Sequence, residues 1–88
     1  MAGYKGQIKT TEIERRYPHI VELIVPLNGF GTKLNDMHEW HALRGIQTQR
    51  GSGRYRDGRH YVRWCFGGSE DAKVFQAEFG GELTKPST

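Results

Sequence analysis

The chain has 88 residues, 35% of them hydrophobic and 26% charged, so one globular domain is expected and a disordered chain is excluded. Its net charge is +3, and residues 49–63 concentrate the basic side chains, with five arginines against Asp57 alone. The single cysteine excludes a disulfide framework. The longest apolar run, residues 20–27, is too short to span a membrane. Together with the lack of an apolar leader, these features favour a cytoplasmic setting without a membrane partner.

The first strand is predicted after a weakly structured beginning. Residues 1–18 are expected to be a flexible or partly ordered segment with a short helical turn over 10–15. Residues 19–27 are rich in β-branched side chains, and both alternating faces of this stretch are largely apolar. Because such a strand is open to water on neither face, strand one is expected to be central in its sheet.

A helix is predicted to follow the turn 28–31. Thr32 is expected to cap it, and it runs over 33–44 until Gly45 ends it. The side chains that recur at helical spacing form its predicted buried stripe, namely Phe30, Leu34, Met37 and His41.

The segment 47–66 is predicted to be a β-hairpin around Asp57-Gly58, because a type I′ turn needs positive φ at both central residues. Counting outward from this turn opposes Arg56 to Arg59, Tyr55 to His60, Arg54 to Tyr61, Gly53 to Val62, Ser52 to Arg63, Gly51 to Trp64, and Arg50 to Cys65. Alternation then separates a side of bulky rings and glycines from an arginine side. The arginine side is predicted to carry Arg50, Arg54, Arg56, Arg59, Tyr61, Arg63, Ser52 and Cys65.

A last helix is predicted from its cap Ser69 to Gly80-Gly81, and residues 82–85 are a candidate edge strand. A right-handed crossover would place the third strand between the first two. The expected fold is therefore α+β and ferredoxin-like, β-α-β-β-α(-β), an antiparallel sheet with two helices on one face. One domain would cover 19–85, residues 86–88 would form a tail, and the arginine side would be free of helices.

Arginines concentrated on one hairpin side repel one another, and an anionic partner would offset that repulsion. Guanidinium groups bind phosphates through several donors, and Tyr61 offers a ring for stacking. The leading functional hypothesis is a non-catalytic module that binds a polyanion such as nucleic acid. The predicted site residues are Arg50, Arg54, Arg56, Arg59, Tyr61 and Arg63. The alternative without a ligand is a solvated hairpin whose arginines protect a sheet edge from aggregation.

Residues 57–64 loosely resemble the basic–glycine–aromatic strand signature of the RNA-recognition motif, which binds RNA on a helix-free sheet face. Gly58, Tyr61, Val62 and the aromatic Trp64 agree with that signature. Arg59 stands where the second stacking aromatic would lie, and strand one has no aromatic residue. The resemblance is confined to this stretch and implies only that the arginine side is a plausible binding surface.

Self-association is the second functional hypothesis. Ile20, Glu22 and Ile24 are predicted on the arginine side of strand one, where exposed aliphatic side chains would suit a homodimer or another protein partner. The arginines would then meet acids of another chain, drawn from Glu70, Asp71, Glu78 and Glu82.

No catalytic residue, metal site or cofactor is predicted. His38 and His41 lie three positions apart, which is not the His-Glu-x-x-His spacing of a zinc site, and His41 falls on the buried stripe. Cys65 is expected to be a small semi-buried residue, although neighbouring arginines would lower the pKa of a reactive thiol. An enzyme would need a cleft assembled from His38, His41, His60 and Cys65.

Overall fold

The computed structural model describes residues 9–86, and these form one antiparallel sheet with helices on both of its faces. The elements in chain order are α1 (Thr10–Arg16), β1 (His19–Ile24), α2 (Thr32–Leu43), β2 (Arg54–Arg56), β3 (Arg59–Phe66), α3 (Ser69–Phe79) and β4 (Glu82–Thr84). The fold is therefore α+β. The strand order is β2-β3-β1-β4, so β1 is central and β3 lies between β1 and β2, as the sequence predicts.

The two longer helices end where the glycines predict and begin differently. Gly45 and Gly80 have positive φ values of 69° and 86°, which residues with a Cβ rarely adopt. Thr32 and Ser69 are the first helical residues rather than caps, because Gly31 and Gly68 occupy the N-cap positions without a side-chain cap bond. The two predicted hydroxyl caps are therefore wrong.

Helices α2 and α3 cover one face of the sheet. His41 of α2 stacks on Phe66 at 5.4 Å between ring centroids, and Phe75 of α3 lies 5.5 Å from Trp64. Aromatic rings are the largest apolar groups in this interface, so their burial contributes strongly to stability. The buried apolar cluster consists of Val21, Leu23, Met37, Trp64, Phe66, Ala72 and Phe75, with Phe30, Leu34, Trp40, Val62 and Phe79 packed against it.

Helix α1 covers part of the opposite face. Its Glu14 is fully buried and pairs with Arg63, whose neighbour in the strand, Trp64, faces the other helices. The expectation of a helix-free arginine side is therefore wrong at one end. The ferredoxin-like topology stays a prediction, because α1 is a helix that it does not contain. Residues 1–8 of the predicted N-terminal segment and residues 87–88 of the predicted tail lie outside the described part of the chain.

The hairpin turn forms at Asp57-Gly58, with φ values of 52° and 75°. The three pairs nearest the turn have the predicted register, with Arg54 opposite Tyr61. Beyond them the prediction is wrong by one residue, because Arg50 pairs with Trp64 rather than Cys65. Residues 51–53 thus oppose only residues 62–63, which is a β-bulge in a Gly-Ser-Gly stretch.

Candidate functional site

The arginine face, defined here as the sheet face of Arg54, Arg56, Arg59, Tyr61 and Arg63, has two unlike ends. In the covered end, α1 and the 51–53 bulge lie over Arg63 and Cys65. In the open end, at the tip of the hairpin, Arg54, Arg56 and Arg59 lie away from α1. The two ends differ in how their charges are neutralised.

Arg63 joins two carboxylates in the covered end. Its Nη1 donates to Oε1 of Glu14 at 3.0 Å and its Nε donates to Oε2 of Glu22 at 3.0 Å. The exposed fractions are 6% for Arg63, 0% for Glu14 and 7% for Glu22. A buried guanidinium with two carboxylate partners has its charge compensated internally. Arg63 is therefore part of the structure's interior and not a free phosphate ligand.

The Gly-Ser-Gly bulge completes the cover over Arg63. Oε2 of Glu14 accepts the backbone N–H of Ser52 at 2.7 Å, and the hydroxyls of Thr10 and Ser52 lie 2.6 Å apart. A Cβ on Gly51 would lie 2.6 Å from that same oxygen of Glu14. Gly51 therefore makes room for a carboxylate, and Arg50 rather than Gly51 lies opposite Trp64.

Cys65 lies in the covered end against Gly51 and Glu14. Burial raises the pKa of the Cys65 thiol to about 12, and the Glu14 charge acts in the same direction. The effect of the nearby arginines is smaller than that of burial, so the environment of Cys65 disfavours a thiolate at neutral pH. Cys65 is a buried small side chain.

Arg56 lies in the open end between Glu22 and Tyr61. Its Nη2 donates to Oε1 of Glu22 at 2.8 Å, and its Cζ is 4.1 Å from the centroid of the Tyr61 ring. The Arg56 hydrogen bond is the main cause that holds the pKa of Glu22 below its usual value, and the same bond raises the pKa of Arg56. The Tyr61 ring face predicted to stack on a ligand is therefore already occupied by a guanidinium.

Arg54 and Arg59 are the least compensated cations of the arginine face. Among residues 9–86, neither forms an ion pair, and Arg59 is exposed. Arg56 and Arg59 are directly opposed across the hairpin. Like charges directly opposite each other destabilise the pair. The nearest acid along the chain is Asp57 in the turn, and within residues 9–86 it forms no ion pair with either Arg54 or Arg59.

Arg50 lies on the other side of the sheet. The bulge reverses its orientation, and its Cζ lies 4.7 Å from the centroid of the Trp64 ring. Burial lowers the pKa of Arg50. Its predicted place on the arginine face is therefore wrong.

The predicted dimer surface is mostly covered. Ile20 is 1% exposed and Glu22 is buried with it, whereas Ile24 remains exposed. Of the acids proposed to meet the arginines, Asp71 lies 3.8 Å from Arg44 on the α2–α3 side. The aliphatic patch that motivated face-to-face pairing is therefore reduced to one residue.

The candidate catalytic residues do not share a cleft. His41 is buried, and its Nδ1 donates to the carbonyl of Met37 at 2.8 Å. Cys65 lies on the opposite face of the sheet, and His60 lies beside Tyr55 near the hairpin tip. Within residues 9–86 no three metal-ligating side chains are grouped to hold an ion, and no helix there is long and apolar enough to cross a bilayer.

The sequence reasoning missed Glu14. It stands in an ordinary polar helical stretch, and its partner Arg63 is 49 positions away in the chain. No local pattern signals such a pair. The glycine at 51, which fits no turn type, is the one residue whose placement hints at a close approach.

Comparison of the chain with protein-family models, with curated proteins and with solved structures gave no match.

Proposed function

We propose that this chain is a small non-catalytic binding module that holds the phosphates of a nucleic acid on the open end of its arginine face. The observation that carries the proposal is the hairpin tip, where Arg54 and Arg59 have no acidic partner among the described residues. Arginine presents several fixed donors to phosphate oxygens, and uncompensated positive potential attracts polyanions. Arg63 and Arg50 are left out of the proposed site.

The topology of residues 19–85 that we propose is the ferredoxin-like one, with α1 added on the second face. That arrangement would give the module two layers for stability and one partly open sheet face for its ligand. It assigns no ligand by itself, because one fold supports many functions.

A salt titration tests the proposal. Fluorescence anisotropy with labelled single-stranded and duplex oligonucleotides would give Kd at several salt concentrations. Each phosphate contact contributes about 0.9 to the log–log salt slope for duplex and about 0.7 for single strands. The double variant Arg54→Gln with Arg59→Gln should reduce the single-strand slope by about 1.4.

A matched control for that double variant is Lys33→Gln with Lys73→Gln, which removes the same charge from α2 and α3. The control should leave the slope nearly unchanged if the open end is the site. No detectable binding at low salt would overturn the proposal. A concentration-dependent dimer in sedimentation, together with no binding, would favour the self-association hypothesis.

A further inference from the structure

Two side chains, Glu22 and Tyr61, hold the Arg56 guanidinium in place. Glu22 accepts from its Nη2 at 2.8 Å, Tyr61 lies beneath its Cζ at 4.1 Å, and Glu22 is itself fixed by Arg63. The Arg56 side chain nevertheless remains 46% exposed. The ion pair and the ring contact restrain the guanidinium, so its exposed part is organised before any ligand arrives.

A concavity of about 340 Å³ lies beside this guanidinium. That volume is at the lower end of the range for small-molecule sites, which is about 300–1,000 Å³. Its apolar wall includes Ile24, and Glu82 lies opposite Glu22 on the neighbouring strand. The lining residues are Glu22, Leu23, Ile24, Arg56, Tyr61, Gly81 and Glu82.

The charges around the concavity impose an orientation on a nucleotide. Glu22 and Glu82 repel phosphate, so a phosphate group would lie toward the hairpin tip with Arg54 and Arg59. A planar base would then lie over Arg56, since nucleobases stack on guanidinium planes. The Glu82 carboxylate only accepts hydrogen bonds, and it therefore favours a base that offers an exocyclic amino group.

We propose that the concavity beside Arg56 receives an unpaired, amino-bearing nucleobase, which makes the module a binder of single-stranded nucleic acid. The inference rests on the proposed phosphate binding and names its substrate class. Stacking requires that the base be unpaired, so duplexes would make only the phosphate contacts. Cytosine, adenine and guanine carry an exocyclic amino group that can donate to Glu82, whereas uracil and thymine lack one.

The test compares ligands that differ only in their bases. Anisotropy would be measured at one salt concentration with single-stranded oligo-C and oligo-A, with oligo-U or oligo-T, and with an abasic oligonucleotide of equal length, as RNA and as DNA. Oligo-C should bind about 5- to 150-fold tighter than the abasic chain, the range that stacking of one base gives. The RNA and DNA arms show whether the 2′-hydroxyl contributes.

Two variants locate the base. Arg56→Lys keeps the charge but removes the plane, so it should bring oligo-C close to the abasic affinity while leaving the abasic affinity within about twofold. Glu82→Gln should reduce the preference for oligo-C over oligo-U. Circular dichroism checks that both variants fold, and the wild-type comparison of oligo-C with the abasic chain decides the question if either does not.

The outcomes separate the two proposals. Equal binding of oligo-C and the abasic chain would overturn the base site and leave phosphate binding intact. Tighter binding of duplex than of single strands would also overturn the base site. Binding of none of the oligonucleotides would overturn both.

Discussion

Arg63 and Arg59 stand four positions apart on the same strand and the same face, yet they have opposite environments. Arg63 is 6% exposed and bonded to two carboxylates, whereas Arg59 is exposed and has no ion pair among the described residues. The difference comes from α1 and the 51–53 bulge, which cover only one end of the face. Alternation within a strand therefore identifies the side of an arginine but not its neutralising partners.

The largest expected effect is the loss of the buried cation. Arg63→Met leaves Glu14 and Glu22 buried without their shared partner, which should lower the free energy of unfolding by about 3–5 kcal/mol. Arg59→Met is the matched control, because it removes an exposed arginine from the same strand and should change that free energy by less than about 0.5 kcal/mol. Urea unfolding followed by circular dichroism measures both. Equal losses in the two variants would contradict the contrast between the ends.

A smaller effect is expected where the bulge approaches α1. The Cβ of Gly51→Ala would lie 2.6 Å from Oε2 and 2.7 Å from Cγ of Glu14 and 3.0 Å from Sγ of Cys65, so the buried Glu14 side chain or α1 itself must shift. Overpacking of this kind costs about 1–3 kcal/mol. In Gly53→Ala the nearest atom is 3.4 Å away, and that variant should be nearly neutral by the same unfolding measurement. Equal stability of the two alanine variants would contradict the close contact between Gly51 and Glu14 of α1.

The smallest expected effect on stability comes from the ion pair between Arg56 and Glu22, which connects the open and covered ends of the arginine face. The Arg56 hydrogen bond lowers the pKa of Glu22 below the ordinary 4.5, so the pair stabilises the fold above about pH 4.5 and this contribution disappears as the pH falls through the folded pKa. Arg56→Gln should destabilise the fold only slightly at pH 7, less than either Arg63→Met or Gly51→Ala, because the arginine is exposed and solvent screens its pair with Glu22. That cost should shrink as the pH falls below 4.5.

Unfolding free energies of wild type and Arg56→Gln from pH 7 to pH 3 check this dependence. Arg59→Gln is the control, since without a carboxylate partner its effect should not follow the titration of Glu22. A difference between wild type and Arg56→Gln that stays constant over the whole range would show that Glu22 is not the group coupled to Arg56.

The local elements were predictable because short-range chemistry determines them. The Asp57-Gly58 turn, the register of the pairs next to it and the helix ends at Gly45 and Gly80 follow from backbone preferences of the residues themselves. The central position of β1 follows from two apolar faces in one strand. The arginine side near the turn was therefore predicted correctly.

The sequence-based predictions failed where the structure depends on contacts between distant parts of the chain. The predicted register has no bulge, and it therefore places Arg50 on the arginine side. In the structure one unpaired residue in 51–53 reverses the orientation of the side chains beyond it, and nothing in the sequence indicates that residue. The contact between Tyr61 and Arg56 of the neighbouring strand, 4.1 Å from ring centroid to Cζ, was also not signalled by the sequence.

By itself, the sequence determined the hairpin turn, the segregation of rings from arginines beside it and the central strand, since each depends on residues that are neighbours along the chain. Only the tertiary structure decided which arginines are neutralised. Glu14 reaches Arg63 across 49 positions, and Glu22 serves Arg63 and Arg56 together. Such pairings depend on how whole elements pack, because the electrostatic environment of a charged side chain is set by the groups that the fold brings close to it.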